Sequence, residues 1–128
     1  MTRILVADDS DLVRRGIRYL LGRHEGWVVC GEAADGQETV EKTRHLNPDV
    51  VVLDFAMPVM NGIEAARQIH KEHPNTPMIL CSMYLDRQLA SLARDVGITS
   101  VLSKSNVGQV VKGVEAGLRG ESFSESQI

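Results

Sequence analysis

The 128-residue chain is 43% hydrophobic, enough for one compact domain with a buried core. Its 14 basic and 17 acidic side chains give a net charge of −3 at pH 7, which argues against direct nucleic-acid binding by this segment, because contact with phosphates requires a basic surface. The sequence has neither the roughly 18 consecutive apolar residues of a membrane span nor a signal peptide, so we expect a cytoplasmic protein without membrane contact.

Five short apolar runs alternate with segments whose apolar residues recur at helical spacing. Runs of this length are typical of strands, and the continuous run Val50–Leu53 is typical of a strand buried on both faces. The predicted strands are Ile4–Ala7, Trp27–Ala33, Val50–Leu53, Met78–Ser82 and Thr99–Ser103. Between them, Asp35 with Glu38 and Asn61 with Glu64 indicate capping boxes at the starts of the second and third helices.

Strict alternation of strands and helices predicts an α/β fold, a doubly wound five-stranded parallel sheet covered by helices on both faces. Residues 1–120 are expected to form this domain. The segment 121–128 is polar and rich in serine, and we expect it to be a loose tail or the start of a linker.

Charged and polar side chains stand at the ends of four predicted strands. Asp8 and Asp9 follow the first strand, Asp54 follows the third, Ser82 ends the fourth and Lys104 follows the fifth. Ligands of open α/β sheets bind beyond the carboxyl ends of the strands, so we expect these side chains to converge. Each one alone is explained more simply as a solvated loop end, but the whole set predicts a functional site.

The chemistry of this set suits a divalent cation and a phosphoryl group. Two carboxylates about 4 Å apart repel each other by roughly 4 kcal/mol at an intermediate dielectric, and a bound cation removes that repulsion. Carboxylate ligands favour Mg²⁺, with Mn²⁺ as a substitute, over zinc. A carboxylate in such a site can act as a nucleophile and form an acyl phosphate, whose oxygens a lysine and a hydroxyl would stabilise.

At these positions the sequence resembles the receiver domains of two-component response regulators. The pattern Asp-x-x-Met-Pro-x-Met-x-Gly, placed between an acidic pair and a distal lysine, is the most specific part of a resemblance that covers residues 3–119. The family's motif positions are occupied by Leu5–Ser10, Val52–Gly62, Leu80–Ser82 and Leu102–Lys104. The resemblance implies a flavodoxin-like, CheY-like sheet with strand order 2-1-3-4-5. In that order Cys30 and Cys81 lie roughly 14 Å apart, so we expect two buried thiols without a disulfide.

The resemblance implies a role for each site residue. Asp54 matches the phosphoacceptor, Ser82 the switch hydroxyl and Lys104 the phosphate-binding lysine. The implied Mg²⁺ ligands are Asp9, Asp54, the backbone carbonyl of Ala56 and, through water, Asp8. The implied reaction is phosphoryl transfer from a sensor histidine kinase or a small phosphodonor, which switches the face formed by the fourth helix, the fifth strand and the fifth helix. No enzyme activity is expected beyond self-catalysed phosphoryl transfer and autodephosphorylation.

Two stretches, Gly31–Gly36 and Gly117–Glu121, are similar to the NarL/FixJ branch, which joins the receiver to a LuxR-type helix-turn-helix domain. This similarity implies transcriptional control through a DNA-binding domain outside the 128 residues, or action through a partner protein. It also implies that a homodimer forms on phosphorylation.

Three positions depart from the family pattern. Val101 stands where an aromatic side chain usually turns to report phosphorylation, and Met83 stands where a small residue is usual. Ser105 follows Lys104 where a proline after a cis peptide bond is common, and the sequence leaves cis and trans open. Because valine is short and stiff at χ1, we predict that Tyr84 takes over part of the relay.

Two other functions stay open from the sequence. The departures favour a binding module that has lost phosphoryl control, although the intact site residues oppose that interpretation. A Mg²⁺-dependent phosphohydrolase is disfavoured because the acids after the first strand do not supply that class's Asp-x-Asp order with a separate catalytic acid. Arg14, Arg15 and Arg18 on the first helix are interpreted as a solvated face, with a docking edge for an acidic kinase surface as the alternative.

Overall fold

The structure is a computed structural model that describes residues 1–124. Strands and helices alternate along the chain as predicted. The strands are β1 (Thr2–Ala7), β2 (Trp27–Ala33), β3 (Val50–Leu53), β4 (Met78–Ser82), β5 (Ser100–Ser103) and β6 (Phe123–Ser124). The helices are α1 (Asp11–Gly22), α2 (Gly36–Leu46), α3 (Gly62–Glu72), α4 (Arg87–Asp95) and α5 (Val110–Leu118), with a 3₁₀ segment at Lys104–Gln109.

The parallel sheet has six strands in the order 2-1-3-4-5-6, which corrects the predicted five. The predicted order of the first five is confirmed. The additional strand lies in the segment interpreted as a loose tail: after Gly120, whose φ is +74, the chain turns back and Phe123 pairs with Ser100. The Phe123 amide also donates a hydrogen bond to Ser100 Oγ at 3.0 Å. Residues 125–128 of the predicted tail lie outside the described residues.

Side-chain caps begin the helices close to the predicted positions. Asn61 Oδ1 accepts a hydrogen bond from the Glu64 amide at 2.9 Å, and Glu64 Oε1 accepts one from the Asn61 amide, which confirms that capping box. Asp35 Oδ1 accepts from the Glu38 amide at 2.7 Å, but the Glu38 side chain accepts from the amide of Ala34 rather than that of Asp35. These caps fix where α2 and α3 begin after their β–α loops.

The central strands lie between two apolar layers. Every residue of β3 and β4 is buried, which confirms the two-sided burial predicted for β3. Helices α2, α3 and α4 cover one face of the sheet, and α1 and α5 cover the other. With both faces covered, the carboxyl edge of the sheet is where polar side chains from several strands can meet.

The two cysteines lie on different strands. Cys81 on β4 is buried, whereas Cys30 on β2 is only half-buried, and both remain thiols. Strands β1 and β3 lie between them, which accounts for the predicted lack of a disulfide; the predicted full burial of Cys30 is wrong. Across residues 1–124, no helix is long and apolar enough to span a membrane.

Candidate functional site

Asp54 follows β3 at the carboxyl edge of the sheet, with 3% of the residue exposed. Its amide donates to the Ala7 carbonyl at 3.0 Å, so the pairing with β1 continues to this residue. The turn that follows contains the exposed Ala56 and is closed by the Gly62 amide, which donates to the Phe55 carbonyl at 2.8 Å. A Cβ at Gly62 would overlap the backbone carbonyl of Asp54. Glycine is therefore required for α3 to begin so close to β3.

Asp8 and Asp9 lie beside Asp54, just after β1. The three side chains can each place a carboxylate oxygen within 4.8 Å of the other two. Asp8 is buried and Asp9 is exposed, and Asp8 Oδ1 accepts a hydrogen bond from the Ser10 amide at 2.9 Å. Two buried acids and one exposed acid supply oxygen donors together with access for water, and this combination suits Mg²⁺.

Lys104 reaches both buried acids from the end of β5. Its Nζ lies 2.7 Å from Asp8 Oδ2 and 3.0 Å from Asp54 Oδ2, and its own side chain is mostly buried. The ammonium therefore links the ends of β1, β3 and β5 across the sheet edge.

The charges of this cluster are not balanced. Burial raises the pKa of Asp54; the hydrogen bond from Lys104 opposes this rise, and the charge of Asp8 adds to it. Burial favours the neutral form of Lys104, but its hydrogen bonds to the two carboxylates outweigh burial and raise its pKa. One ammonium thus faces more negative charge than it neutralises, which is the condition under which binding of a further cation is favourable.

Ser82 ends β4 at the same edge and is completely buried. Its Oγ accepts a hydrogen bond from the Tyr84 amide at 3.1 Å, which leaves the hydroxyl hydrogen able to donate elsewhere. The side chains of the next two residues, Met83 and Tyr84, are largely exposed. The structure thus brings the predicted residues of β1, β3, β4 and β5 to one edge of the sheet.

The family model for the response regulator receiver domain matches residues 4–115. The chain belongs to the response regulator receiver family. It is thus a receiver domain, a component of two-component systems.

Curated relatives of this receiver are longer proteins. The chain is 32% identical over 129 residues to the response regulator GacA of Pseudomonas viridiflava, an alignment that covers 100% of this chain and 60% of GacA. It is 31% identical over 127 residues to the response regulator VraR of Staphylococcus aureus strain NCTC 8325 / PS 47, covering 98% of this chain and 61% of VraR. The receiver therefore spans about 60% of the length of these relatives.

Solved structures share the receiver fold. A LuxR-family two-component response regulator from Aurantimonas sp. SI85-9A1 superposes with a TM-score of 0.91 at 34% identity, covering 96% of this chain and 89% of that chain. The signal receiver domain of NarL from Mycobacterium tuberculosis gives 0.87 at 30% identity, with coverages of 94% and 98%. The isolated receiver domain of RcsB from Salmonella enterica serovar Typhimurium, determined with the phosphomimetic BeF₃⁻, gives 0.89 at 25% identity, with coverages of 98% and 94%. The similarity to the LuxR and NarL branch is thereby confirmed.

Two residues that depart from the family pattern, Val101 and Ser105, lie on β5 and in the 3₁₀ segment that follows it. Val101 is 3% exposed and packs in the apolar layer beneath α2, α3 and α4. The peptide bond between Lys104 and Ser105 is trans, since residues 1–124 contain no cis peptide bond. The Ser105 amide donates to Ser103 Oγ at 3.2 Å, which caps the 3₁₀ segment.

Arg14 and Glu32 lie beside the site, and the sequence pattern does not indicate the contact between them. The Arg14 side chain is only 15% exposed, and its Nε lies 3.0 Å from Glu32 Oε1, while its NH1 donates to the Asp8 carbonyl at 2.6 Å. Arg15 and Arg18 are 65% and 51% exposed, in agreement with the predicted solvated face. The interpretation of Arg14 as part of that face is wrong. The available signal was its place in the first turns of α1, five residues after Asp9.

Proposed function

We propose that this receiver domain is a phosphorylation-controlled switch that accepts a phosphoryl group on the carboxylate of Asp54. One observation carries the proposal: Asp54 is buried within 4.8 Å of the carboxylates of Asp8 and Asp9 and 3.0 Å from the ammonium of Lys104. A phosphoryl group added there would lie between a cation site and a lysine. This is the electrostatic arrangement that phosphoryl transfer requires.

In the proposed reaction, a bond forms between an Asp54 carboxylate oxygen and phosphorus while the donor's P–N or P–O bond breaks. The leaving group keeps the electron pair of the broken bond, and the product is an acyl phosphate. Lys104 then exchanges its contact with Asp54 for one with a phosphoryl oxygen, and Ser82 donates its hydroxyl hydrogen to another. No enzyme activity is proposed beyond this transfer and the later hydrolysis of the acyl phosphate, in which water takes the phosphoryl group as inorganic phosphate and the Asp54 carboxylate is regenerated.

We propose Mg²⁺ as the cofactor, with Mn²⁺ as a substitute. The donors fit this cation because they are carboxylate oxygens that include one exposed member. Asp9, Asp54 and the backbone carbonyl of Ala56 would hold it directly, and Asp8 would hold it through water. When bound, the cation would neutralise charge on the phosphoryl oxygens and the repulsion among the acids.

We further propose a sensor histidine kinase or a small phosphodonor as the phosphoryl source, in the cytoplasm. The switched surface is the face of α4, β5 and α5, which would control a homodimer or an output domain. The receiver spans about 60% of curated response regulators, and a similar solved structure is a LuxR-family response regulator. Both facts support transcriptional control through a helix-turn-helix domain. The receiver, with a net charge of −3, would not bind nucleic acid itself.

Incubation with acetyl phosphate and Mg²⁺, followed by intact mass spectrometry, tests the proposal. The wild type should gain the mass of one phosphoryl group, and a chelator should prevent the gain. Asp54→Asn should gain none because it lacks the nucleophilic carboxylate. Asp95→Asn is the matched control, since Asp95 is exposed at the end of α4, and it should gain mass like the wild type. A full gain in Asp54→Asn would overturn the assignment.

A binding module without phosphoryl control is the second candidate. It is favoured by the small buried side chain of Val101 at the position where relatives carry an aromatic switch. This candidate predicts no mass gain in the wild type under the same conditions. The acetyl phosphate experiment therefore separates the two functions.

A further inference from the structure

Asp9 is the exposed acid of the site, and nothing holds its side chain in place. Within residues 1–124, no group donates a hydrogen bond to its carboxylate and no cation pairs with it. The region that this carboxylate can reach is therefore set by the backbone of the turn that joins β1 to α1, which fixes the direction of the Asp9 Cα–Cβ bond.

Arg14 fixes that turn. Its NH1 donates to the Asp8 carbonyl at 2.6 Å, and this oxygen belongs to the same planar peptide unit as the amide of Asp9. On the preceding peptide, the Asp8 amide donates to the Ala33 carbonyl at 3.0 Å. The Ser10 amide donates to Asp8 Oδ1 at 2.9 Å. With these three contacts the peptide between Asp8 and Asp9 cannot rotate freely, and the Cα–Cβ bond of Asp9 leaves the backbone in one direction.

Glu32, near the end of β2, holds Arg14 in turn. Its Oε1 lies 3.0 Å from Arg14 Nε, and the two side chains are 27% and 15% exposed. Arg18 pairs with the other carboxylate oxygen of Glu32, and Lys42 of α2 donates to the Glu32 carbonyl. Of these three cations on Glu32, Arg14 is the one that also reaches the turn carrying Asp9.

We propose that Arg14, anchored by Glu32, is a positioning residue that directs Asp9 and so sets the affinity of the site for Mg²⁺. The inference rests on the proposed function, because it takes Asp9 as a ligand of the cation. Mg²⁺ requires nearly ideal octahedral geometry, and removal of groups that hold metal ligands in place weakens metal binding by about ten- to hundredfold.

The sign of the effect separates positioning from simple electrostatics. Arg14 is a cation close to a cation site, so loss of its charge alone would strengthen Mg²⁺ binding. Positioning predicts the opposite, namely weaker binding after the charge is removed. Arg18 offers a matched control because it lies one turn further along α1 and contacts the same Glu32 carboxylate.

Calorimetric titration of the full chain with Mg²⁺ alone tests the proposal. Arg14→Gln should raise the Kd for Mg²⁺ by about tenfold, and Arg14→Lys should raise it as well, since lysine cannot bond Asp8 and Glu32 together. Arg18→Gln should change the Kd by less than about twofold, because exposed charges are screened by salt. Thermal unfolding without Mg²⁺ establishes that each variant is folded. A Kd that is unchanged or lower in Arg14→Gln, or a rise of equal size in Arg18→Gln, would overturn the inference.

Two further measurements complete the test. Should Arg14→Gln not fold, Arg14→Lys and Glu32→Gln decide, and an unchanged Kd in both would overturn the inference. The acetyl phosphate mass gain is recorded for every sample at saturating Mg²⁺, where Arg18→Gln should gain mass like the wild type. A wild type that binds Mg²⁺ without gaining mass would contradict the proposed function and leave the role of Arg14 standing, whereas a wild type that binds no Mg²⁺ would overturn both.

Discussion

The ends of β3 and β5 meet at one edge of the sheet but are held in different ways. After β3, backbone hydrogen bonds close the turn tightly: the amides of Met57 and Gly62 both donate to the Phe55 carbonyl, at 3.1 and 2.8 Å. The capping box of Asn61 then begins α3. Asp54 is thus carried on a turn with few alternative conformations.

After β5 the chain is less constrained. Lys104 begins a 3₁₀ segment whose other residues are exposed or half-buried, and Asn106 within it departs from helical geometry with φ −129 and ψ 44. The charged contacts of Lys104 with Asp8 and Asp54 hold this end to the site. The difference teaches that Asp54, the proposed phosphoacceptor, lies on a closely bonded turn, whereas Lys104 lies on a segment that few backbone or apolar contacts hold.

Gly62→Ala alters the turn between β3 and α3 and should have the largest effect on the free energy of unfolding. The new Cβ would overlap the Asp54 carbonyl and crowd the Phe55 backbone, and neither can move aside as a flexible side chain would. We expect the free energy of unfolding to fall by more than about 3 kcal/mol in urea denaturation. Gly16→Ala is the control, because a Cβ there meets nothing within 4 Å and should stabilise α1 by about 0.5–1 kcal/mol. Equal losses in both variants would contradict the close approach of α3 to β3.

Lys104→Met tests the contact that holds the segment after β5 to the site. It removes the ammonium that lies 2.7 Å from Asp8 and 3.0 Å from Asp54, and it leaves two buried carboxylates facing each other. We expect the metal-free variant to lose about 3 kcal/mol of unfolding free energy at neutral pH. Mg²⁺ should restore part of this loss, because it neutralises the same carboxylates. Denaturation with and without Mg²⁺ measures both effects, and an unchanged stability without the metal would show that Lys104 is not the link.

The contact between Lys104 and Asp54 also predicts how the stability of the metal-free chain depends on pH. Burial raises the pKa of Asp54, so the folded metal-free chain keeps a proton on this carboxyl at pH values where the unfolded chain has released it. The contribution of Asp54 to stability therefore falls as pH rises from the ordinary carboxyl pKa through the raised value of the folded state. Lys104→Met should steepen this fall, since Lys104 lowers that pKa, and Asp54→Asn should remove it. Parallel stability curves for the three proteins over this range would contradict the prediction.

Sequence alone locates the acids of this site but not the contacts that hold them. A buried apolar strand must end where charged residues begin, so Asp8, Asp9 and Asp54 are predicted to share an edge, and the structure brings their carboxylates within 4.8 Å. Arg14 acts through a backbone carbonyl, and such a contact leaves no periodic pattern in the sequence. The two-residue strand at Phe123 is equally invisible to periodicity, because it is too short to alternate.

Val101→Phe tests whether β5 has room for an aromatic side chain at this position. Val101 is 3% exposed within the apolar layer, so a ring must displace its neighbours. We expect a loss of about 2 kcal/mol in urea denaturation. Val101→Ile adds a single methylene and should lose less than about 1 kcal/mol. A phenylalanine accommodated without loss would indicate space for an inward-turning ring and would favour the usual aromatic switch.

Ser82→Ala should have the smallest effect on stability. The hydroxyl that it removes accepts a hydrogen bond from the Tyr84 amide at 3.1 Å. Because this hydrogen bond is only partly buried, we expect a change below about 1 kcal/mol in urea denaturation. A larger loss would show that the Ser82 hydroxyl is part of the packing of β4.

The same variant should nevertheless interrupt the signal from Asp54 to α4. In the wild type with Mg²⁺ and beryllofluoride, Ser82 should turn from the Tyr84 amide to the phosphoryl mimic, drawing Met83 and Tyr84 with it and shifting the amide resonances of α4 and α5. Val101 is too short and too stiff at χ1 to carry this change through β5, so the loop after Ser82 is the expected route. Ser82→Ala should keep the Mg²⁺-induced shift of Asp9 but lose most shifts on α4, whereas Ser82→Thr, which retains a hydroxyl, should preserve them. Shifts on α4 that persist without the hydroxyl would place the route elsewhere, and their absence in the wild type would favour a module without phosphoryl control.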